Sequence, residues 1–123
     1  MPTILVIEDN PDIRENLEEI LELSDYNVRT AENGAIGIEM ALAELPDFII
    51  CDISMPEKDG YEVFQTLSPH CVQNGIPFIF LTASAQQRDI AKGKVSGADA
   101  YMTKPFQVDE LLQVIANLLD SKK

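Results

Sequence analysis

The chain has 123 residues, the size of a single domain, and it is long enough to bury a core without disulfides or a structural metal. Apolar residues make up 46% of it and charged residues 24%, a balance typical of a globular protein and not of a disordered one. The net charge of −12 repels nucleic-acid phosphates and anionic lipids, and no apolar run is long enough to span a membrane. The sequence therefore predicts no direct binding of nucleic acid and no membrane association.

The acidic residues are concentrated in the first half of the chain. Residues 1–62 contain 16 Asp and Glu against three Lys and Arg, whereas residues 63–123 contain five acidic and six basic residues. This asymmetry predicts two electrostatically different faces. The two cysteines, Cys51 and Cys71, form no CxxC pair and the chain carries no signal peptide, which together favour a reducing, cytoplasmic location.

The first half of the chain alternates between predicted strands and helices. The apolar run 4–7 predicts a buried strand, and Asn10 is expected to cap a helix that has Pro11 at its first position. A weaker strand is predicted over 26–30, followed by a helix that begins after Gly34 and is stopped by Pro46.

The alternation continues in the second half. A strand over 48–51 precedes a helix from Gly60 to Pro69, and a strand over 77–81 follows. The helix predicted over 86–95 has few apolar residues and an internal Gly93, which costs about 1 kcal/mol relative to alanine, so we expect it to be the least stable element. A short strand over 100–103 and a well-formed helix over 107–120 complete the pattern.

The predicted strands over 4–7, 48–51 and 77–81 are apolar throughout instead of alternating, which indicates burial on both faces and hence a parallel sheet covered by helices. Five strands that alternate with five helices predict an α/β fold, a doubly wound (βα)5 three-layer sandwich. In such sheets ligands bind outside the carboxyl ends of the strands.

Polar side chains follow four of these predicted strands. Glu8 and Asp9 follow the first, Asp52 the third, Thr82 the fourth and Lys104 the fifth. Two like charges about 4 Å apart repel by about 4 kcal/mol at an effective dielectric of 20, and one ammonium offsets only part of three carboxylates. No calcium-loop pattern is present, so the cluster predicts a site for Mg²⁺ or Mn²⁺.

With such a cation bound, Asp52 is a candidate nucleophile toward a phosphoryl group. Lys104 and the cation would hold phosphoryl oxygens, and the Thr82 hydroxyl and the backbone amide of Ala83 would donate to another oxygen.

Four sequence blocks together resemble the CheY-like receiver domain of bacterial two-component response regulators. They are Glu8-Asp9, the segment from Asp52 to Gly60, Thr82-Ala83, and residues 101–106. The blocks occur in family order and spacing, and the resemblance extends from Thr3 to about Leu119. It implies a flavodoxin-like sheet of strand order 2-1-3-4-5 and a single receiver domain over residues 1–123.

The resemblance also implies roles for individual residues. Asp52 would accept a phosphoryl group from the phosphohistidine of a sensor histidine kinase or a histidine phosphotransfer protein. Asp9, Asp52 and the backbone carbonyl of Ser54 would bind Mg²⁺, with Glu8 acting through water. The protein would then be a phosphorylation-activated switch and not a turnover enzyme, catalysing only its own phosphorylation and dephosphorylation.

Other implied roles concern the switch. Lys104 would pair with the phosphoryl group, Thr82 would be the switch hydroxyl, and Tyr101 would swing inward when Thr82 moves. The Lys104–Pro105 bond is expected to be cis, and Gly60 is a structural residue at the bend into the third helix.

A basic surface is predicted on the fourth helix, which would border the surface that changes on phosphorylation. Arg88, Lys92 and Lys94 supply three of the nine basic residues of the chain. We expect an acidic downstream partner to dock on helix 4, strand 5 and helix 5, with contacts from Ile90, Lys92, Lys94 and Tyr101.

Three alternatives are weighed against this interpretation. A flavin carrier shares the fold class but needs a hydroxyl-rich loop where Glu8 and Asp9 stand. A metal-dependent phosphohydrolase places D-x-D after its first strand, whereas Asp9 is followed by Asn10-Pro11. A receiver that has lost phosphorylation is disfavoured by the intact acids, Thr82 and Lys104. The chain begins just before the first strand and no effector sequence follows Leu119, so a stand-alone receiver is favoured over the alternative of a fragment of a longer chain.

Overall fold

The computed structural model describes residues 1–55, 58–94 and 97–121. In these ranges five strands alternate with five helices. They are β1 (Thr3–Ile7), α1 (Pro11–Leu23), β2 (Asn27–Ala31), α2 (Gly34–Ala43), β3 (Phe48–Asp52), α3 (Gly60–Asn74), β4 (Phe78–Thr82), α4 (Ala85–Lys94), β5 (Ala100–Thr103) and α5 (Val108–Ser121).

The five strands form one parallel sheet of order β2-β1-β3-β4-β5. The register aligns their carboxyl ends, since Ile7 of β1 pairs with Cys51 of β3 and Thr82 of β4 pairs with Thr103 of β5. The fold class and strand order expected from the sequence are confirmed. Whatever follows each strand is therefore brought to one edge of the sheet.

Two apolar clusters cover the two faces of the sheet. Alternate strand residues such as Leu5, Ile49 and Phe80 pack with α2, α3 and Ala91 of α4, whereas Ile4, Val6, Ile50 and their neighbours pack with α1 and α5. Fully burying each such side chain contributes about 1.5–3 kcal/mol. This burial on both faces explains the apolar runs 4–7 of β1, 48–51 of β3 and 78–81 of β4.

Capping side chains fix where three helices begin. The Asn10 side chain accepts hydrogen bonds from the amides of Asp12 and Ile13, and Pro11 is the first residue of α1, as predicted. Asn33 caps α2 and Asp59 caps α3 in the same way. Each cap satisfies amides that have no partner inside the helix.

The prediction that Pro69 ends the third helix is wrong, because α3 continues to Asn74. Proline removes one backbone hydrogen bond from a helix interior. The buried stripe of Val63, Leu67 and Cys71 runs past that position, however, and packing holds the last turn in place. The helix ends instead at Gly75, whose φ of 64° is the left-handed conformation that glycine adopts without strain.

No helix in the described ranges is both long enough and apolar enough to cross a membrane.

Candidate functional site

The site is built around three carboxylates at the carboxyl edge of the sheet. Asp52 is the last residue of β3, and Glu8 and Asp9 follow β1. One oxygen from each of the three groups lies within 4.8 Å of the other two. Glu8 is fully buried and Asp52 is 3% exposed, whereas the side chain of Asp9 reaches solvent. The fold thus concentrates negative charge at a place that is open on one side.

Lys104 supplies the cationic partner of this cluster. Its Nζ donates to Glu8 Oε1 at 2.9 Å and lies 3.3 Å from Asp52 Oδ1. The Lys104 amide donates to the backbone oxygen of Thr82 at 2.8 Å, which extends the pairing of β4 and β5, and the Lys104–Pro105 peptide bond is cis. One ammonium among three carboxylates leaves the site with an excess of negative charge.

Burial and the neighbouring charges shift the pKa values of both Asp52 and Lys104. Burial, and then the hydrogen bond and negative charge of Glu8, raise the pKa of Asp52 to about 7, with Lys104 opposing the shift. Burial lowers the pKa of Lys104, but its contacts with Glu8 and Asp52 outweigh that effect and the pKa lies above its ordinary value. At Asp52, burial and the neighbouring Glu8 together therefore outweigh the effect of the single lysine.

This donor set fits a hard divalent cation. Carboxylate oxygens, an open side for water and uncompensated negative charge are what Mg²⁺ prefers in proteins. The Ser54 amide lies 3.4 Å from Asp52 Oδ1, so the loop after β3 stands beside the cluster. Pro56 and Glu57, further along that loop, lie outside the described residues.

Thr82 and Ala83 follow β4 at the same edge. Thr82 is fully buried, and its Oγ1 lies within hydrogen-bond distance of the backbone oxygens of Ser84 (3.2 Å) and Met102 (3.3 Å). The Ala83 amide donates to Oε1 of Gln87, and Gln87 Nε2 in turn donates to Ser54 Oγ at 2.7 Å.

Tyr101 lies against Phe80 of β4 and Lys92 of α4. Its ring stacks on Phe80, with centroids 5.8 Å apart and planes inclined by 22°, and Lys92 Nζ lies 5.9 Å from the ring centroid. Burial is the largest cause of its raised pKa. The structure therefore brings Glu8, Asp9, Asp52 and Lys104 together and leaves Tyr101 beside α4.

The remaining predicted residues lie around this edge. A Cβ atom at Gly60 would stand 2.6 Å from the backbone oxygen of Asp52, so lack of space explains glycine where α3 begins. On α4, Ile90 is 48% exposed and Lys92 is exposed. The side chain of Lys94 and all of Val95 lie outside the described part of the chain.

Two residues at the site were not predicted from the sequence. Arg14 Nη1 donates to the backbone oxygen of Glu8 at 2.9 Å and lies 3.4 Å from that of Asp9, so it holds the acidic pair from behind. The sequence signal that could have identified Arg14 is a basic residue in the first turn of the helix that follows the acidic pair. Gln87 carries no charge and belongs to a weakly patterned helix, so the sequence offered no signal for it.

The chain matches the response regulator receiver domain family over residues 4–116. It belongs to that family. Receiver domains are phosphorylation-activated switches of two-component signalling that take phosphate from histidine kinases and act on downstream partners. They bind Mg²⁺ at an acidic cluster, which in this chain is Glu8, Asp9 and Asp52.

Curated relatives differ in length. The chain is 40% identical over 119 residues to the DNA-binding dual master transcriptional regulator RpaA of Synechocystis sp., covering 97% of this chain and 49% of that protein. It is 35% identical over 119 residues to protein PilH of Pseudomonas aeruginosa, covering 97% of this chain and 98% of that protein. The chain thus spans about half the length of RpaA and nearly all of PilH.

Solved structures show the same fold. The receiver domain of a signal transduction histidine kinase from Syntrophus aciditrophicus matches with a TM-score of 0.87 at 34% identity, covering 98% of this chain and 92% of that one. The response regulator TrrA of Thermotoga maritima, solved in complex with Mg²⁺-BeF, matches with a TM-score of 0.83 at 35% identity, covering 96% of this chain and 99% of that one.

Proposed function

We propose that Asp52 is the residue of this receiver domain that accepts the phosphoryl group. The supporting observation is the meeting of Glu8, Asp9 and Asp52 oxygens within 4.8 Å, with Lys104 Nζ against two of them. Asp52 stands at the carboxyl end of the central strand β3, where such sheets bind ligands.

Different residues around Asp52 would bind the cation and the phosphoryl group. Asp9, Asp52 and the backbone carbonyl of Ser54 would bind Mg²⁺, or Mn²⁺ with its similar preference for oxygen, and Glu8 would act through water. When bound, the cation supplies positive charge to the phosphoryl oxygens. Lys104 would hold a phosphoryl oxygen as an ion pair.

Phosphoryl transfer exchanges one bond to phosphorus for another. An Asp52 carboxylate oxygen forms the new bond as the bond from phosphorus to the histidine nitrogen of the partner breaks, and that electron pair stays on the imidazole. A carboxylate is a weak nucleophile, so alignment and charge neutralisation supply most of the rate. Lys104, the Thr82 hydroxyl and the Ala83 amide would hold the transferred oxygens, and Tyr101 would follow the movement of Thr82.

The chemistry of the site would be limited to its own aspartyl phosphate. The protein would catalyse its phosphorylation from phosphohistidine and its later hydrolysis, and it would not turn over other phosphoesters. We further propose that residues 1–123 form a single receiver domain that works in the cytoplasm.

The acceptor assignment is tested by incubating the protein with Mg²⁺ and acetyl phosphate. We expect an acid-stable, base-labile mass gain of one phosphoryl group on Asp52, and none in Asp52→Asn. The matched control is Glu19→Gln, which neutralises an exposed acid on α1. A phosphoryl group on another residue would contradict the acceptor role, and sustained release of phosphate from small phosphoesters would favour the phosphohydrolase alternative.

The downstream partner is proposed to dock on α4, β5 and α5 through an acidic patch. Ile90 offers exposed apolar surface and Lys92 stands beside Tyr101. Lys94 would add a further contact. The net charge of −12 supports the further proposal that this domain contacts neither nucleic acid nor membranes directly.

Charge reversal tests the docking surface. Lys92→Glu combined with Lys94→Glu is expected to weaken binding of the downstream partner about 10-fold and to reduce the dependence of its affinity on salt. Lys58→Glu makes one such charge reversal outside α4 and should leave both the affinity and its salt dependence near wild type. Unchanged affinity and salt dependence in the α4 variant would refute this surface.

A further inference from the structure

Gln87 joins two loops of the site through a single side chain. Its Oε1 accepts the amide hydrogen of Ala83, which follows β4, and its Nε2 donates to Ser54 Oγ, 2.7 Å away in the loop after β3. Its own amide donates to Ser84 Oγ at 3.1 Å. Both ends of the Gln87 carboxamide are therefore engaged, one with the residue that follows β4 and the other with the loop that follows β3.

Gln87 competes with the phosphoryl group for one donor. A backbone N–H offers one hydrogen, and at Ala83 that hydrogen already points at the Gln87 oxygen. A phosphoryl oxygen carries more negative charge than a carboxamide oxygen and makes the stronger bond with the same N–H. It can take this donor only after Gln87 has turned away.

We propose that Gln87 is a positioning residue that holds the Ala83 amide in the unphosphorylated protein and is displaced when the phosphoryl group arrives. This inference rests on the proposed role of Ala83 as a donor to the phosphoryl group. Displacement also breaks the bond to Ser54, which ties the first turn of α4 to the loop after β3. Through Gln87, the contact between α4 and the loop after β3 thus depends on whether the phosphoryl group is present.

Two substitutions of Gln87 test whether its side-chain oxygen competes with the phosphoryl group for the Ala83 amide. Gln87→Ala removes the competing acceptor, and the second-order rate constant for phosphorylation by acetyl phosphate should rise roughly 2- to 10-fold, the range expected for one neutral hydrogen bond. Gln87→Glu places a carboxylate on the same amide and should lower that rate constant, because charge strengthens the hydrogen bond and repels the phosphoryl group. Gln86→Ala and Gln86→Glu make the same changes at the exposed neighbouring residue and should leave the rate constant at the wild-type value.

The amide resonance of Ala83 supplies a second readout, and its change on phosphorylation is one that a merely structural role of Gln87 would not produce. In the unphosphorylated protein, Gln87→Ala should shift the Ala83 amide proton and increase its exchange with solvent. In the phosphorylated protein, the Ala83 resonances of wild type and Gln87→Ala should coincide, because both amides then donate to the phosphoryl group.

The outcomes distinguish this inference from the acceptor proposal. If wild type acquires a phosphoryl group on Asp52 but Gln87→Ala does so at the same rate, or with an unchanged Ala83 resonance before phosphorylation, the role of Gln87 is refuted and that of Asp52 stands. If neither protein is phosphorylated on Asp52, both proposals are refuted.

Discussion

At the scale of single residues, the surroundings of Asp52 oppose its ionisation, although the proposed chemistry needs the carboxylate. The carboxyl group is buried beside Glu8, and its pKa is about 7 in the metal-free protein. Lys104 opposes the shift but is shared with Glu8. The site is therefore prepared for added positive charge, which would restore the ionised form of Asp52.

The raised pKa makes the stability of the metal-free protein depend on pH. The unfolded chain releases the Asp52 proton near pH 4 and the native protein releases it near pH 7, so the native state binds more protons between these values. The contribution of Asp52 to the free energy of unfolding is complete below about pH 4 and is lost as the pH rises to about 7.

Asp52→Asn should remove this dependence. At pH 7.5 without Mg²⁺ we expect the variant to be more stable than wild type by on the order of 1–3 kcal/mol, measured by urea denaturation. Its stability should also vary less between pH 4.5 and 7.5. Glu19→Gln is the control and should keep the wild-type slope, and an equally steep slope in Asp52→Asn would contradict the assignment.

The charged residues of the site could be located from the sequence because each ends a strand or follows one closely. Glu8, Asp52 and Lys104 could be placed at one edge as soon as a parallel sheet was inferred. Arg14 and Gln87 could not, since their contacts depend on the directions of long side chains from helices α1 and α4. Strand order carries no information about such directions.

At the scale of elements, β1, β3 and β4 were predictable because burial on both faces leaves a continuous apolar run. The end of the third helix was not predictable, because proline is a local sequence signal whereas the packing that continues the helix is tertiary. The stripe of Val63, Leu67 and Cys71 outweighs the lost hydrogen bond at Pro69. On α4 the described residues bury Ala91 but leave Ile90 half exposed. The lower stability of this helix stays a prediction.

Pro69→Ala should stabilise the protein. Alanine restores an amide that can donate to the backbone oxygen of Gln65, and position 69 is exposed, so no packing is lost. We expect a gain of about 1–2 kcal/mol in the free energy of unfolding, measured in urea, because the greater freedom of alanine in the unfolded chain offsets part of the benefit. His70→Ala, at the next exposed position, should change stability by less than about 0.5 kcal/mol. A destabilised Pro69→Ala variant would show that α3 needs the proline.

At the scale of the whole molecule, folding concentrates negative charge that the unfolded chain keeps apart. The net charge is −12, and three carboxylates converge at one edge of the sheet. A cation that binds only this arrangement stabilises the native state by mass action.

Mg²⁺ should therefore raise the melting temperature. At a concentration ten times its dissociation constant the gain is about 1.4 kcal/mol, which corresponds to an increase of a few degrees. Calorimetry in NaCl of matched ionic strength is the control, because screening alone reduces repulsion among the surface acids. In Asp9→Asn, most of the Mg²⁺-specific increase in melting temperature should be lost. An equal effect of NaCl and Mg²⁺ on wild type would count against a metal site.

The bond between Glu8 and Lys104 joins positions 96 residues apart in the chain. Synthesis proceeds from the amino terminus, so the acids that follow β1 leave the ribosome long before Lys104, which pairs with Glu8. A nascent or interrupted product carries the carboxylates without their ammonium partner. Competence to receive a signal is thus delayed until translation of the domain is almost finished.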